Sequence, residues 1–529
     1  MALSLELPTL EDKPLIVAET RPQKIAQFIS NLPLSKPLEA ATLLFDELEI
    51  LNRQKVAVDA RVKALEIYRT TVINLTESLA TEYCSAPMPL PLRAKDHAAA
   101  VESLWRELGY GYKLALIDSQ TKLFSLSSNK SVAFIVQRAM EALSQQAMVS
   151  YQTYFTVTGN IWSDLHQLYF FAVQQSLHEI ELTANHGQTG TNSVNHTYKQ
   201  ALLMSLTDPQ HLPPQNIKLV ADYIARYAHH TQLQGIAPLE NPAGIFLVSL
   251  NADKPPIPYS KNLKQADQGN DILLITLGLA RLVHQHIQML QAGKPAKNSG
   301  LPDNASDPRY LDMLVYLIKH WGASPKRIYN RSRKSDGIEL GIGVAAAHYF
   351  VNSETYYTAP IEMSDVTEIS AHIPRKSSAN QRKFSLSRWQ ALNISAGGMA
   401  LRKFPDTEGN VRVGDLISVK NSSESHWSVG VLRWISNSEH QQLDIGTQLI
   451  APEAKAAGAR MPDQREFEPV LLLPELPAIK QLGSVVSACG MYSPARILEL
   501  DEHGKISRIM LTRLVERTNS FERFQFSYL

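Results

Sequence analysis

The hydrophobic periodicity of this chain changes near Trp321, and this change limits the folds that the sequence can adopt. Before Trp321, apolar residues recur over long stretches at steps of three and four, the spacing of one face of an α-helix. After it, short β-branched runs alternate with Gly, Asn, Ser and Asp, which is typical of strands joined by tight turns. The sequence therefore predicts a multidomain α+β protein with an all-α region over residues 1–320, as one or two subdomains, and a β-rich region after it.

Composition excludes several classes of protein. Hydrophobic residues make up 44% of the 529 residues, too many for disorder to dominate, and the chain has only 2 Cys. Cys84 and Cys489 lie far apart in the sequence, so they form neither a Cys-x-x-Cys redox pair nor a thiolate metal site, and a reducing cytoplasm fits this pattern. Neither a secretory signal nor an apolar stretch long enough for a membrane span is evident. We expect a cytoplasmic protein without a transmembrane segment.

The helical half contains two segments with related spacing, Trp105–Tyr112 and Trp162–Tyr169. The first resembles the opening of a tetratricopeptide repeat, Trp-x-x-Leu-Gly-x-x-Tyr, but the two segments are too far apart for that repeat. One interpretation is that these residues pack between antiparallel helices. The other is a helix-hairpin array that offers a groove to a partner protein.

Catalytic patterns are weak in this half. His284 and His286 would point to different sides of a helix, so they cannot share one metal ion. His178 and Glu179 lack the second His of a zinc-protease helix, and we find neither a phosphate-binding loop nor a nucleophile elbow. We therefore expect a protein that is not an enzyme and that needs no metal or cofactor.

Positive charge is concentrated in two segments, although the net charge is only +1. Ser324–Ser335 contains five basic residues and residues 371–403 contain seven, and neither segment contains an acid. The near-neutral total argues against a long nucleic acid as partner. The local clusters suit a small anion, because guanidinium groups pair with phosphates and with the O6/N7 edge of guanine. On charge alone, a solvated basic surface is the alternative.

Five motifs follow one another through the β-rich region. The first is the pair Arg327-x-x-x-Arg331. The others are the Asn-x-Ser-x-x-Gly turn at Asn393–Gly398 and three strand-like segments, Val413–Val419, Ser428–Trp434 and Leu443–Leu449. This order resembles the PilZ domain, a small six-stranded antiparallel β-barrel that binds the bacterial second messenger cyclic di-GMP. The resemblance covers residues 323–452.

The resemblance implies a ligand site for cyclic di-GMP made from both signature motifs. Arg327 and Arg331 would bind phosphates and guanine edges, Asn393 and Ser395 would hydrogen-bond the bases, and Gly398 would allow a turn that a Cβ would obstruct. Because the arginine pair lies between the helical and β-rich regions, we expect ligand binding to order that segment and to reorient the helical half.

The two signature motifs are farther apart here than is usual in PilZ domains. We interpret Ile338–Val351 as the first barrel strand and residues 352–388 as an inserted loop. The insertion could bring Arg375, Arg382 or Arg388 to the ligand in place of the assigned pair. Arg333 and Arg433, outside the insertion, are further candidate ligand residues.

After Pro452, the segment Glu453–Pro469 has the composition of a linker. Residues 465–529 then predict further strands, which either extend the barrel or form a small second β-domain.

The resemblance implies a receptor that couples cyclic di-GMP, through the helical half, to an unidentified protein partner controlling motility, surface attachment or biofilm. One alternative is an interaction scaffold whose PilZ barrel no longer binds nucleotide, against which the intact motifs argue. Another is an RNA-binding barrel, but the basic clusters contain few interleaved aromatic residues: Tyr329, Phe384 and Trp389.

Overall fold

The structure is a computed structural model that describes residues 3–121, 128–182, 192–236, 242–259, 269–296, 300–322, 332, 336–359, 384–404, 408–421, 424–438, 442–477 and 481–529. The chain divides into two compact units. Unit 1 comprises Met1–Ala86 and Leu90–Lys326, and unit 2 comprises Pro87–Pro89 and Arg327–Leu529.

Unit 1 is built mainly from helices, as its apolar periodicity predicts. They are α1 (Pro22–Ser30), α2 (Pro37–Asn52), α3 (Val58–Ser85), α4 (Leu92–Thr121), α5 (Asn129–Gln152), α6 (Ile161–Gln174), α7 (Val194–Ser205), α8 (Pro214–Tyr227), α9 (Leu277–Gln291) and α10 (Pro308–Gly322). Helix α4 packs against α2, α3 and α5. A buried ion pair between Lys113 Nζ and Asp164 Oδ2, 2.7 Å apart, joins α4 to α6.

The aromatic residues of the two related segments lie in the core of this unit. Trp105 and Tyr112 on α4, and Trp162 and Tyr169 on α6, are all buried. Helix α4 runs without a turn from Leu92 to Thr121, 30 residues, whereas the repeat unit is a helix–turn–helix, so the first segment does not open such a repeat. Their burial agrees with packing between helices.

Unit 1 also contains a four-stranded antiparallel sheet that the apolar pattern did not predict. Its strands are β1 (Gln232–Gly235), β2 (Ile245–Ser249), β3 (Ile257–Pro258) and β4 (Asp271–Ile275), in the order β1-β4-β2-β3. Strand β4 and helix α9 share one apolar stretch of sequence, and within such a stretch a strand is hard to distinguish from a buried helix turn.

The first half of unit 2 is a closed six-stranded antiparallel barrel, which confirms the predicted fold class. Its strands are β5 (Gly337–Ile342), β6 (Ser387–Ser395), β7 (Gly398–Lys403), β8 (Leu416–Asn421), β9 (Ser428–Asn437) and β10 (Leu443–Ala451), in the order β10-β7-β6-β5-β8-β9. Trp389 on β6 is fully buried at its centre, between Ile338 of β5 and Lys403 of β7.

The prediction of a single strand over Ile338–Val351 is wrong. Strand β5 ends at Ile342, and the rest of the segment forms helix α11 (Val344–Val351). One side of α11, including Ala347, joins a core cluster with the barrel strands, and the other side, including Tyr349, packs against aromatic residues. An apolar run that is covered on both sides carries no amphipathic period, so its helical conformation could not be deduced from its pattern.

The second half of unit 2 is another closed antiparallel barrel. Its strands are β11 (Lys455–Arg460), β12 (Glu468–Leu473), β13 (Ser484–Ser487), β14 (Ile497–Glu502), β15 (Lys505–Arg517) and β16 (Glu522–Tyr528), in the order β11-β12-β13-β16-β15-β14. The interpretation of Glu453–Pro469 as a linker is wrong, because β11 lies within it. This strand has buried alanines at 456, 457 and 459, and a small-residue composition gives little signal for a strand.

The two barrels share one apolar cluster, in addition to a separate apolar cluster that lies within the second barrel alone. Leu416 and Val431 of the first barrel lie in the same cluster of buried residues as Leu471, Val486 and Phe521 of the second. All five side chains are fully buried. Because these residues exclude water from each other, the stability of each barrel depends on the other.

A partly buried carboxylate, that of Asp415, lies where the barrels meet. The Ser520 hydroxyl donates to the carbonyl oxygen of Gly414 at 2.9 Å, and the next residue, Asp415, accepts at 2.7 Å from the N–H of Arg412. Burial raises the pKa of Asp415 to about 6, although the Arg412 N–H and charge act in the opposite direction.

We expect Phe521→Ala to destabilise both barrels together. Removing a buried Phe side chain costs about 3 to 5 kcal/mol, and here the cavity would open between the barrels. Hydrogen exchange followed by mass spectrometry in increasing urea reports each barrel separately. Amides of β9 and of β12 should lose protection at the same urea concentration, whereas Tyr528→Ala, at an exposed site, should change neither. Loss of protection confined to the second barrel would contradict a shared core.

The raised pKa of Asp415 predicts a defined pH dependence of stability. Between about pH 4, near the ordinary pKa of Asp, and about pH 6, the folded protein holds a proton that the unfolded chain has released. The free energy of unfolding should therefore fall as the pH rises through this range. Asp415→Asn removes that loss, so the variant should gain thermal stability relative to the native protein from pH 4 to pH 7. Asp463→Asn, at an exposed position, serves as the control. If the stability difference between the native protein and Asp415→Asn does not change with pH, this role of Asp415 is excluded.

Candidate functional site

A β-bulge in strand β6 determines where the Asn-x-Ser-x-x-Gly motif points. Ala391 lies opposite Leu401, whereas Asn393 lies opposite Ala400, so Leu392 is the extra residue. Ala391 and Leu401 are buried in the barrel interior. Without the extra residue, strict alternation would turn Asn393 inward as well. The bulge places Asn393 and Ser395 on the outer face of the barrel instead.

The turn between β6 and β7 brings the motif residues together. Ser395 lies directly opposite Gly398, and the Ser395 hydroxyl donates to the Gly398 carbonyl oxygen at 3.0 Å. Gly398 has φ 150°, and a Cβ there would come within 2.0 Å of the Thr447 carbonyl oxygen on β10. Glycine is required here because the backbone of β10 occupies the space of a side chain.

Asn393 offers polar groups next to this turn. Its side chain is partly exposed and has no hydrogen-bond partner among the residues that the structure describes. A primary amide carries two donor hydrogens and an acceptor oxygen, so Asn393 can recognise a planar group with both functions on one edge.

The chain that leads into the barrel runs beside this motif. Ser332 pairs with Ile394 in an antiparallel bridge, with the N–H of each residue donating to the carbonyl oxygen of the other at 3.0 Å. The Ala391 N–H also donates to the Asp336 carbonyl oxygen at 3.0 Å. Ser332 is the residue between Arg331 and Arg333 in sequence. Its backbone thus lies next to the strand that carries Asn393 and Ser395.

A second side of the site comes from β9 and β10. Gln448 lies directly opposite Gly398, and its Oε1 accepts from Arg433 Nε at 2.8 Å. Arg433 Nη1 also donates to Oε1 of Glu516, on the second barrel, at 2.5 Å. The indole of Trp434 covers Gly446, where a Cβ would meet Trp434 Nε1 at 1.8 Å. An amide, a guanidinium and an aromatic ring therefore border the turn.

The other arginines that the sequence suggests as ligand residues lie elsewhere on β6 or outside the described residues. Arg388 is exposed on β6, five residues before Asn393 and about 17 Å from it at the rise of a β-strand. Arg327, Arg331, Arg333, Arg375 and Arg382 lie outside the described residues. Arg402, from the second basic cluster, makes a two-point ion pair with Asp444 at 2.7 and 2.8 Å, which raises the pKa of Arg402.

Sequence reasoning did not assign three residues that border this site. Gln448 and Trp434 belong to motifs that had been identified, but their outward direction depends on strand register. Ser332 carries no signal of its own, since a lone Ser between two arginines is common in basic segments.

Other kinds of site were also considered. Within the described part of the chain, no group of three or more His, Cys, Asp or Glu side chains is placed to hold a metal ion. His286 instead forms a 3.0 Å hydrogen bond with the Tyr223 hydroxyl, and burial lowers the pKa of His286. Each helix of the described residues is too short or too polar to cross a bilayer.

Comparison with known proteins agrees with this architecture. Residues 23–239 match the family model described as the N-terminal domain of the cyclic-di-GMP receptor FimW, and residues 454–529 match the FimW C-terminal beta-barrel domain. Residues 245–384 and 361–456 match the middle PilZ domain of the same receptor. The cyclic-di-GMP receptor FimW of Pseudomonas aeruginosa is 23% identical to this chain, across 99% of this chain and 93% of its own length.

The middle model covers helices α9 and α10 as well as the barrel that carries the Asn393–Gly398 turn, and the other two models cover helices α1–α8 and the second barrel. The chain is therefore similar to this receptor over three consecutive regions, and the first barrel of its C-terminal half is a PilZ domain.

Proposed function

We propose that this protein is a receptor for cyclic di-GMP, which it binds on the outer face of the PilZ barrel. The observation that carries the proposal is the pairing of Ser332 with Ile394. This pairing brings the backbone of the arginine-rich lead-in next to Asn393 and Ser395, which are far from it in sequence.

The chemistry of these residues suits a compact dianion with two guanines. Arg331 is joined to Ser332 by one peptide bond and, with Arg327, would bind phosphate oxygens and a guanine edge. The Asn393 amide can accept from the guanine N–H groups and donate to the carbonyl oxygen. The Ser395 oxygen, which already donates its proton to Gly398, keeps lone pairs that can accept from the ligand. Arg333, Arg375, Arg382, Arg388 and Arg433 remain additional candidates.

We further propose that the receptor acts without catalysis, in the cytoplasm, by passing the binding signal to a protein partner through the helical half. The related FimW of Pseudomonas aeruginosa is described as a receptor, which supports this type of role. Motility, surface attachment or biofilm formation is the output that the PilZ resemblance suggests. A scaffold that does not bind nucleotide is the second candidate, and the experiment below separates the two.

Calorimetric titration with cyclic di-GMP tests the receptor proposal. The native protein should bind, Arg331→Ala should bind about tenfold more weakly or worse because it loses a charge-assisted contact, and Ser395→Ala should lose about fivefold. Matched controls are Arg508→Ala and Ser527→Ala, at exposed positions of the second barrel, which should bind like the native protein. The absence of heat with the native protein would favour the scaffold. Binding retained by Arg331→Ala but lost by Arg382→Ala would move the site to the inserted segment.

Hydrogen exchange tests whether the lead-in takes part in binding. Saturating cyclic di-GMP should slow amide exchange in residues 324–336 of the native protein, because bound arginines restrict the backbone that carries them. The same ligand should have little effect on that segment in Arg331→Ala. Unchanged exchange in the native protein, at a concentration where calorimetry reports saturation, would rule out this role of the lead-in.

A further inference from the structure

One guanidinium beside the proposed site is shared between the two barrels. Arg433 on β9 contacts Gln448, the neighbour of Gly398, through Nε, and Glu516 on β15 through Nη1. The side chains of Arg433 and Glu516 are only partly exposed, at 33% and 18%. Nη2 of Arg433 has no hydrogen-bond partner within the described residues. A cation that contacts the neighbour of Gly398 is thus already paired with an acid of the second barrel.

A third charge lies behind this pair. Glu516 is directly opposite Arg523 on β16, whose side chain is buried and donates from Nε to the Ser484 hydroxyl at 3.0 Å. Burial and, to a smaller extent, the charge of Arg433 lower the pKa of Arg523, whereas Glu516 raises it. The three side chains therefore interact as a row of cation, anion and cation that crosses from one barrel to the other.

We propose that Glu516 controls the affinity of the nucleotide site by competing with the ligand phosphate for Arg433. This inference rests on the proposed function, because it concerns the same site. A phosphate that approaches Nη2 of Arg433 meets the negative charge of Glu516 at close range, which weakens binding. If the phosphate takes over Arg433 completely, Glu516 keeps Arg523 as a counter-ion, so the exchange leaves no carboxylate without a cation.

The same exchange would carry information to the second barrel. Glu516 lies on β15 and Arg523 on β16, and the turn between these strands carries Ser520 and Phe521, which contact the first barrel. Loss of the Arg433 contact changes the forces on this pair of strands without requiring either barrel to unfold. Ligand binding at the nucleotide site would thereby alter strands β15 and β16 of the second barrel.

The test compares Glu516→Gln with Glu499→Gln by calorimetry with cyclic di-GMP. Glu499 forms an equivalent ion pair with Arg460 within the second barrel, at 2.7 Å, and is the matched control. Glu516→Gln keeps the shape of the side chain but removes its charge, so we expect affinity to rise about threefold to tenfold. Glu499→Gln should bind like the native protein. Thermal melting without ligand checks that both variants fold.

A double variant shows whether the gain acts through Arg433. In an Arg433→Ala background, Glu516→Gln should give no increase in affinity, because the cation for which the acid competes is absent. In addition, cyclic di-GMP should change hydrogen exchange in residues 512–524 of the native protein but not of Arg433→Ala. If Glu516 had only a structural role, Glu516→Gln would change the melting temperature but neither the affinity nor the ligand-induced change in hydrogen exchange.

The possible failures are distinguishable. If the native protein binds cyclic di-GMP and Glu516→Gln binds with equal or lower affinity, competition by Glu516 is excluded while the receptor function stands. If the gain persists in the Arg433→Ala background, the acid does not act through Arg433 and the inference is likewise overturned. If neither the native protein nor Glu516→Gln binds, the proposed function itself fails, and this inference with it.

Discussion

The apolar core common to both barrels is the constraint on which the rest of unit 2 depends. Phe521 is buried among residues of the first barrel, so the β15–β16 turn is held against strand β9. That contact is what brings Glu516 within hydrogen-bond distance of Arg433. Hydrophobic burial is non-directional, but once it has fixed the two barrels, the polar contacts between them become specific.

The polar surface of the first barrel depends on a smaller irregularity. One additional residue, Leu392, shifts the alternation of side chains in the rest of strand β6, so the motif side chains point to the outer face instead of the core. Gln448 and Trp434 border the same outer face on the side of strands β9 and β10. Successive side chains along a barrel strand point alternately inward and outward. A bulge is therefore a simple way to turn two polar side chains outward at positions that would otherwise face inward.

The sequence predicted the broad architecture, but not the features that depend on tertiary contact. The helices of unit 1 and most strands of unit 2 follow from periodicity, because one face of each is exposed. Helix α11 and strand β11 do not, because α11 is covered on two sides and β11 is built from small residues. Charge counts located basic segments correctly, yet they could not reveal that Arg402 is paired with Asp444 and that Arg433 is paired with an acid more than eighty positions away.

Because of the apolar cluster shared by both barrels, the division of the chain by family similarity differs from its division by packing. The family models for the middle and C-terminal regions overlap at residues 454–456, where β11 begins. A cut at that point would leave Val431 and Leu416 on one fragment, and Leu471 and Phe521 on the other, facing water. Similarity to other proteins divides the chain there, whereas one apolar cluster spans the division, so a fragment that ends at this point would expose apolar side chains that the full chain buries.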